Sequence, residues 1–161
     1  MSTGTGTGSA PVGIDELLER VRAGLERVAP RVTPRAAFAA AEAGDVLLVD
    51  IRYAALRERD GLIPGALVME RNELEWRLDP RGSHRAPQAV SHDLRIVVVC
   101  NEGYASSLAA ASLQQLGLHR ATDLIGGFQA WRAEGLPVEA AGQAEAAGPV
   151  RSAEPWASAA P

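Results

Sequence analysis

Lysine is absent from the 161-residue chain, so every one of its sixteen cations is an arginine. The arginines are scattered and form no basic run, which removes the electrostatic footprint expected of a nucleic-acid or anionic-membrane binder. Cysteine occurs once, at Cys100, and a single thiol excludes any disulfide within the chain. No apolar run approaches the ~20 residues that a membrane-spanning helix needs. The opening stretch, Met1 to Gly8, is rich in Ser, Thr and Gly and has neither a charged n-region nor an apolar core, so it does not read as a secretory signal. A cytoplasmic location is the expectation, because a lone thiol stays reduced there.

What is present suits one domain with one core. Just under half of the residues are apolar, at 47%, and the net charge is mildly negative, at −4. Residues 1–12 read as a flexible leader. From about Glu139 to Pro161 the chain is rich in Ala, Gly, Ser and Pro, which predicts a disordered tail. A helix is predicted over 13–30: Ile14, Leu17, Leu18, Val21, Leu25 and Val28 share a face, Asp15 and Glu16 sit in its first turn, and Pro30 lies beyond its end. Thr33 caps a second helix opening on Pro34 and stopping near Gly44.

Val46 to Asp50 is a continuous apolar run closed by an acid, the pattern of a strand buried in a parallel sheet. Arg57-Glu58-Arg59-Asp60 leads to a turn at Gly61, Pro64 and Gly65, and Ala66 to Met69 is a second strand. Asn72 to Leu78 reads as a short helix, and 81–93 as a loop. Arg95 to Cys100 is the most strand-like stretch, with four β-branched residues in succession. Ser106 is placed to cap a helix with Ala109, Leu113 and Leu116 on one face and Gly117 at its end. Thr122 to Ile125 forms a short strand, Gly126-Gly127 a turn, and Phe128 to Glu134 a last helix around a core Trp131. Alternating strands and helices predict an α/β fold with a central parallel sheet covered on both faces.

Open parallel sheets bind ligands beyond the carboxyl ends of their strands, and Cys100 ends one. The loop Asn101-Glu102-Gly103-Tyr104-Ala105-Ser106 follows and runs into a helix. A strand, a tight loop and a helix start together aim several backbone N–H groups at one point, which favours an anionic sulfur. Gly103 lets the backbone curl where a side chain would block it. On mechanics alone a second account stands beside this one: a lone cysteine after four apolar strand residues is also what a small core hydrophobe looks like.

The stretch 31–138 resembles a rhodanese domain. The matching pieces come in order: Val-Asp-Ile-Arg at 49–52, Gly-Leu-Ile-Pro-Gly-Ala at 61–66, the strand ending in Cys100 with its loop, Gly-Gly-Phe-Gln-Ala-Trp at 126–131, and Gly135-Leu136-Pro137-Val138. The resemblance implies a three-layer rhodanese-like fold and sulfur transfer. Cys100 would take a sulfane sulfur from thiosulfate or another persulfide donor. It would hold that sulfur as a persulfide cradled by the N–H groups of Asn101, Glu102, Gly103, Tyr104, Ala105 and Ser106, then pass it to a thiol or protein acceptor. Asp50 and Arg52, which flank the end of a buried strand, would support the site by orienting the loop or entering the substrate mouth, or more plainly form an ion pair or a loop hydrogen bond. The resemblance implies no metal and no other cofactor.

Two departures bear on the donor. Many single-domain members read Cys-Arg-x-Gly-x-Arg-Ser, but Asn101 and Ala105 stand at both Arg places and Glu102 adds a negative charge. Leu62 replaces the His of Gly-His-Ile-Pro-Gly-Ala. Thiosulfate is therefore expected to be a poor donor, unless Arg57, Arg59, Arg71 or Arg77 brings a cation from elsewhere. Tyrosine phosphatases use a similar loop but need Arg six residues after the cysteine, where this chain has Ser106. A non-catalytic rhodanese-like binding module and a thiol redox sensor remain as alternatives.

Overall fold

The computed structural model describes Gly8 and residues 10–142. Four short parallel strands form the central sheet: β1 (Leu47–Asp50), β2 (Leu67–Val68), β3 (Ile96–Val99) and β4 (Ala121–Asp123), in the order β2-β1-β3-β4. Val49 of β1 pairs with Leu67 of β2 on one side and with Val98 of β3 on the other. Val32 adds a bridge beside Leu124, just beyond β4.

Alternate residues of a strand face opposite sides of the sheet, and β3 is buried on both. Ile96, Val98 and Cys100 join one core cluster with Val49, Leu25, Ala109, Ala110 and Leu113. Val97 and Val99 join the other, with Leu48, Ala37, Phe128 and Trp131. The first cluster lies under α1 (Ile14–Val28), α4 (Leu74–Leu78) and α5 (Ala105–Gln115), the second under α2 (Pro34–Glu42) and α6 (Gly127–Ala133). The result is the expected three-layer α/β arrangement, with helices on both faces of a parallel sheet.

Thr33 caps α2 by accepting from the Ala36 N–H, as the sequence predicts. Trp131 is sealed in the second cluster, edge-on to Phe38 at a centroid distance of 5.8 Å, and its indole N–H donates to the Pro137 carbonyl at 2.8 Å. Trp131→Ala removes both contacts and opens a cavity, and is expected to cost about 3–5 kcal/mol of unfolding free energy, measured by chemical denaturation.

Four details depart from the sequence reading. Residues 57–60, expected to lead straight into a turn, belong to the helix α3 (Ala54–Asp60), which buries no residue and stops at Gly61. Its Ala, Leu, Arg and Glu are good helix formers, but with no buried face they give no apolar periodicity to detect. Ser106 does not cap α5: Tyr104 holds that position, and the Ser106 hydroxyl lies inside the first turn with other partners. Leu116 is not on the buried face of α5; it follows the last helical residue and is partly exposed. Glu139, where the sequence reading places the start of a disordered tail, exchanges two main-chain hydrogen bonds with Leu62. The rest of that tail from 143 onward, and most of the leader predicted for 1–12, lie outside the described residues. No helix among the described residues is long and apolar enough to cross a membrane.

Candidate active site

Cys100 is the residue immediately after β3, at the carboxyl edge of the sheet. It is a free thiol, 6% exposed, at the base of an open pocket of about 350 Å³. The loop from 101 to 104 wraps around its sulfur and enters α5. Gly103 N–H donates to Sγ at 3.1 Å and Ser106 N–H at 3.4 Å. The thiol donates to Ser106 Oγ at 3.2 Å, and Ser106 Oγ donates in turn to Asp123 Oδ2 at 2.7 Å. The N–H groups of Asn101, Glu102, Tyr104 and Ala105 have no acceptor among the described residues. The sulfur is thus neither sealed in packing nor exposed on a flat surface. The loop forms a ring about it, and two of the ring's N–H groups are bonded to it.

The ring keeps its shape because its carbonyls are held outward. Cys100 O accepts from Phe128 N–H at 2.8 Å and Asn101 O from Gln129 N–H at 3.0 Å, both at the start of α6. Gly103 O accepts from two guanidinium groups, Arg22 at 2.6 Å and Arg31 at 3.1 Å. Gly103 has φ +84, and a Cβ there would come within 2.7 Å of Gly126 N. Gly127 has φ +60, and its Cβ would stand 2.4 Å from Cys100 O. The Gly126-Gly127 pair is therefore more than the turn its sequence suggests: it lets the loop lie directly on the α6 start.

The side chains of the loop take separate roles. Asn101 Oδ1 accepts from Gln129 Nε2, which also donates to Asp60 Oδ2. Asp60 is held well below the ordinary carboxylate range, first by its hydrogen bond from Arg59, with Gln129 and Arg132 adding to this against burial. Glu102 and Tyr104 are exposed and line the pocket, and Ala105 closes its wall. Ser106 is fully buried, facing the sulfur and Asp123.

Asp50 and Arg52 form a buried ion pair at 2.8 Å. Arg52 also donates to the Gly61 carbonyl and stacks over the Phe128 ring at 3.7 Å, which ties β1 to α6 beside the pocket. An ion pair is one of the arrangements the sequence reading offers for these two residues. Of the arginines named as replacement cations, Arg71 reaches the pocket wall. Arg57 instead bonds the Arg52 carbonyl, Arg59 pairs with Asp60, and Arg77 donates to the His84 carbonyl. Arg71 Nη1 bonds both oxygens of Glu75, at 2.7 and 3.0 Å. Burial pushes the Glu75 carboxyl up, but hydrogen bonds from Ser112, from its own backbone and from Arg71 together bring it below its ordinary value. Glu75 therefore stays ionised and fixes Arg71 in place. Ile51, Leu56, Tyr53 and Tyr104 give the rest of the pocket a largely apolar wall.

Asp123, Arg22 and Arg31 were not legible as site residues. They lie far from the loop in sequence, and no local pattern marks them. Among the described residues no cluster of His, Cys, Asp and Glu is arranged to hold a metal ion.

Residues 33–134 match the family model of the rhodanese-like domain. A sulfurtransferase of Allochromatium vinosum is 39% identical over 100 residues, which span 62% of this chain and 84% of that protein. A Rhodopseudomonas palustris protein, described as of unknown function and a possible tyrosine phosphatase, superposes with a TM-score of 0.70 at 34% identity, over 82% of this chain and 98% of that one. A human single-domain sulfurtransferase superposes with a TM-score of 0.57 at 26% identity, over 66% of this chain and 97% of its own.

Proposed function

As the chain belongs to the rhodanese-like family, we propose that it is a sulfurtransferase that carries a sulfane sulfur on Cys100. The observation that carries this reading is the loop around Sγ, with two N–H groups bonded to the sulfur and four more without an acceptor among the described residues. Such a ring stabilises negative charge spread over a sulfur anion and costs no rearrangement when that charge arrives.

The reaction follows as two displacements. The Cys100 thiolate attacks the outer sulfur of the donor. The donor's S–S bond breaks and its electron pair leaves with the departing group, sulfite from thiosulfate or a thiolate from an organic persulfide. The anionic persulfide rests in the ring. An acceptor thiolate, small or on a protein, then attacks the outer sulfur and the Cys100 thiolate departs. A reducing compartment such as the cytoplasm keeps the carrier thiol ready.

Pocket size and lining favour an organic persulfide as donor. A volume of about 350 Å³ lies in the range of sites for whole organic ligands, and a thiosulfate ion fills little of it. The walls are largely apolar, Glu102 opposes a dianion, and Arg71 offers one fixed cation to one anionic group of the ligand. Arg71→Leu is expected to raise KM for a carboxylate-bearing persulfide about tenfold, the worth of one charge-assisted hydrogen bond. KM for an uncharged persulfide should change little. Steady-state kinetics with the two donors make the comparison, and equal effects on both would remove Arg71 from donor recognition.

The direct test is intact-mass analysis after incubation with thiosulfate and, separately, with glutathione persulfide. One added sulfur atom, lost on treatment with a reducing thiol, is expected. No adduct from either donor on reduced protein would overturn the sulfur-carrier reading. The phosphatase reading suggested by the Rhodopseudomonas relative has no support in this loop. Ser106 stands where a phosphate-clamping guanidinium is needed, and the Arg22 and Arg31 groups reach the loop from its outer side, on a carbonyl. A phosphotyrosine analogue should remain unhydrolysed.

A further inference from the structure

The family match begins at residue 33, so α1 and Arg31 lie outside it. Yet both grip the sulfur loop. Arg22, in the middle of α1, donates from Nη2 to Gly103 O at 2.6 Å and from Nε to Ser107 Oγ at 3.1 Å, with its guanidinium 5.6 Å from the Tyr104 ring centre. Arg31, between α1 and α2, donates from Nη2 to the same carbonyl at 3.1 Å and pairs with Asp123 through Nε at 2.8 Å. The other outward carbonyls, of Cys100 and Asn101, each receive one main-chain N–H. Gly103 O alone in the loop receives two cations.

A trans peptide is planar, and its C=O and N–H point in opposite directions. Fixing Gly103 O on the outer side of the loop turns the N–H of the same peptide, that of Tyr104, toward the inside. Tyr104 N–H has no acceptor among the described residues. Two guanidinium groups on the carbonyl end also polarise the peptide, which strengthens the N–H as a donor. The loop itself carries no cation: Asn101 and Ala105 are neutral and Glu102 is acidic.

We propose that Arg22 and Arg31 are positioning residues for sulfur transfer. They lock the Gly103–Tyr104 peptide so that Tyr104 N–H meets the outer, charged sulfur of the Cys100 persulfide, and Arg22 brings from outside the family match a positive charge that the loop lacks. This rests on the sulfur-carrier reading above. It adds that α1 belongs to the working site and is more than a packing helix.

Arg22 gives the cleaner test, because removing Arg31 also strands the buried Asp123 carboxylate. In the full chain, Arg22→Met keeps an apolar stem over the same surface, and Arg22→Lys returns one charged donor. The rate of sulfur loading from glutathione persulfide, alkylation of Cys100 by iodoacetamide, and the Tyr104 amide resonance are followed in each. Arg22→Met should slow loading about tenfold, several times more than it slows alkylation, with KM nearly unchanged. The Tyr104 amide shift that accompanies loading should shrink in Arg22→Met and return in large part in Arg22→Lys. If loading and alkylation fall in parallel, or if Lys does not rescue, Arg22 is only a structural brace and the inference is overturned. If the wild-type chain loads sulfur but Arg22→Met loads it equally fast, the inference fails while the sulfur-carrier reading stands. If the wild-type chain takes up no sulfur, that earlier reading fails and takes this one with it.

Discussion

Cys100→Ser is expected to reduce sulfur transfer to the uncatalysed background with every donor, while the protein stays folded. The hydroxyl occupies the sulfur's place with less volume, and the Gly103 and Ser106 N–H groups still find an acceptor there. What disappears is the nucleophile. The transferring sulfur never forms a bond to the enzyme, and neither the pocket nor Arg71 can substitute for that bond. Transfer assays and intact mass after donor treatment make the check. Residual transfer above a few per cent of wild type would mean that the group moves directly between donor and acceptor. Full cellular function in the Ser variant would point to a binding module that keeps the fold and does not use the thiol.

Gly127→Ala should be the most damaging single methyl addition near the site. The new Cβ would stand 2.4 Å from Cys100 O and 2.7 Å from Gly103 N, both main-chain atoms that cannot step aside alone. The backbone at φ +60 adds strain for any L side chain. Strain and overpacking together are expected to cost about 3–4 kcal/mol, measured by denaturant unfolding. Activity should fall further than stability, because the clash displaces the Cys100 and Gly103 main chain that forms the ring. A variant with reduced stability and unaltered loading rate would show that the loop can shift without losing its donors.

The sheet was legible because three of its strands are nearly continuous apolar runs of bulky or β-branched residues, too short for a helix and bounded by turn or polar residues. The loop was legible for a related reason: Cys100 ends the clearest of those runs, Gly103 permits the curl, and the helix resumes at once. α3 escaped because it packs no residue into either core cluster and so leaves no periodic trace. Ser106 was read as a helix cap from its residue type, whereas its hydroxyl is drawn to a buried carboxylate that comes from β4. Arg22, Arg31 and Asp123 are the instructive omissions. Their link to the loop is purely tertiary, made by the way α1 lies against α5 and the segment 30–32 runs beside β4, and one sequence read along its length carries no sign of it. Gly126-Gly127 falls between these cases: the turn is visible locally, but the surface that requires two successive glycines becomes visible only once the loop lies upon it.

Asp123 is fully supplied with hydrogen-bond donors. Its two oxygens accept from Arg31 Nε and Nη2 and from both the Ser106 and Ser107 hydroxyls. While the thiol carries its hydrogen, Ser106 can point its own at the carboxylate and offer the sulfur a lone pair. Once the sulfur is an anion that lone pair faces it unfavourably, and a hydroxyl is a rotor that settles wherever its hydrogen is best received. Ser107 and Arg31 keep the carboxylate satisfied when Ser106 swings away. In the proposed transfer the Ser106 hydroxyl would thus be a hydrogen-bond donor that turns to the sulfur when a charge appears there and back to Asp123 when the charge departs.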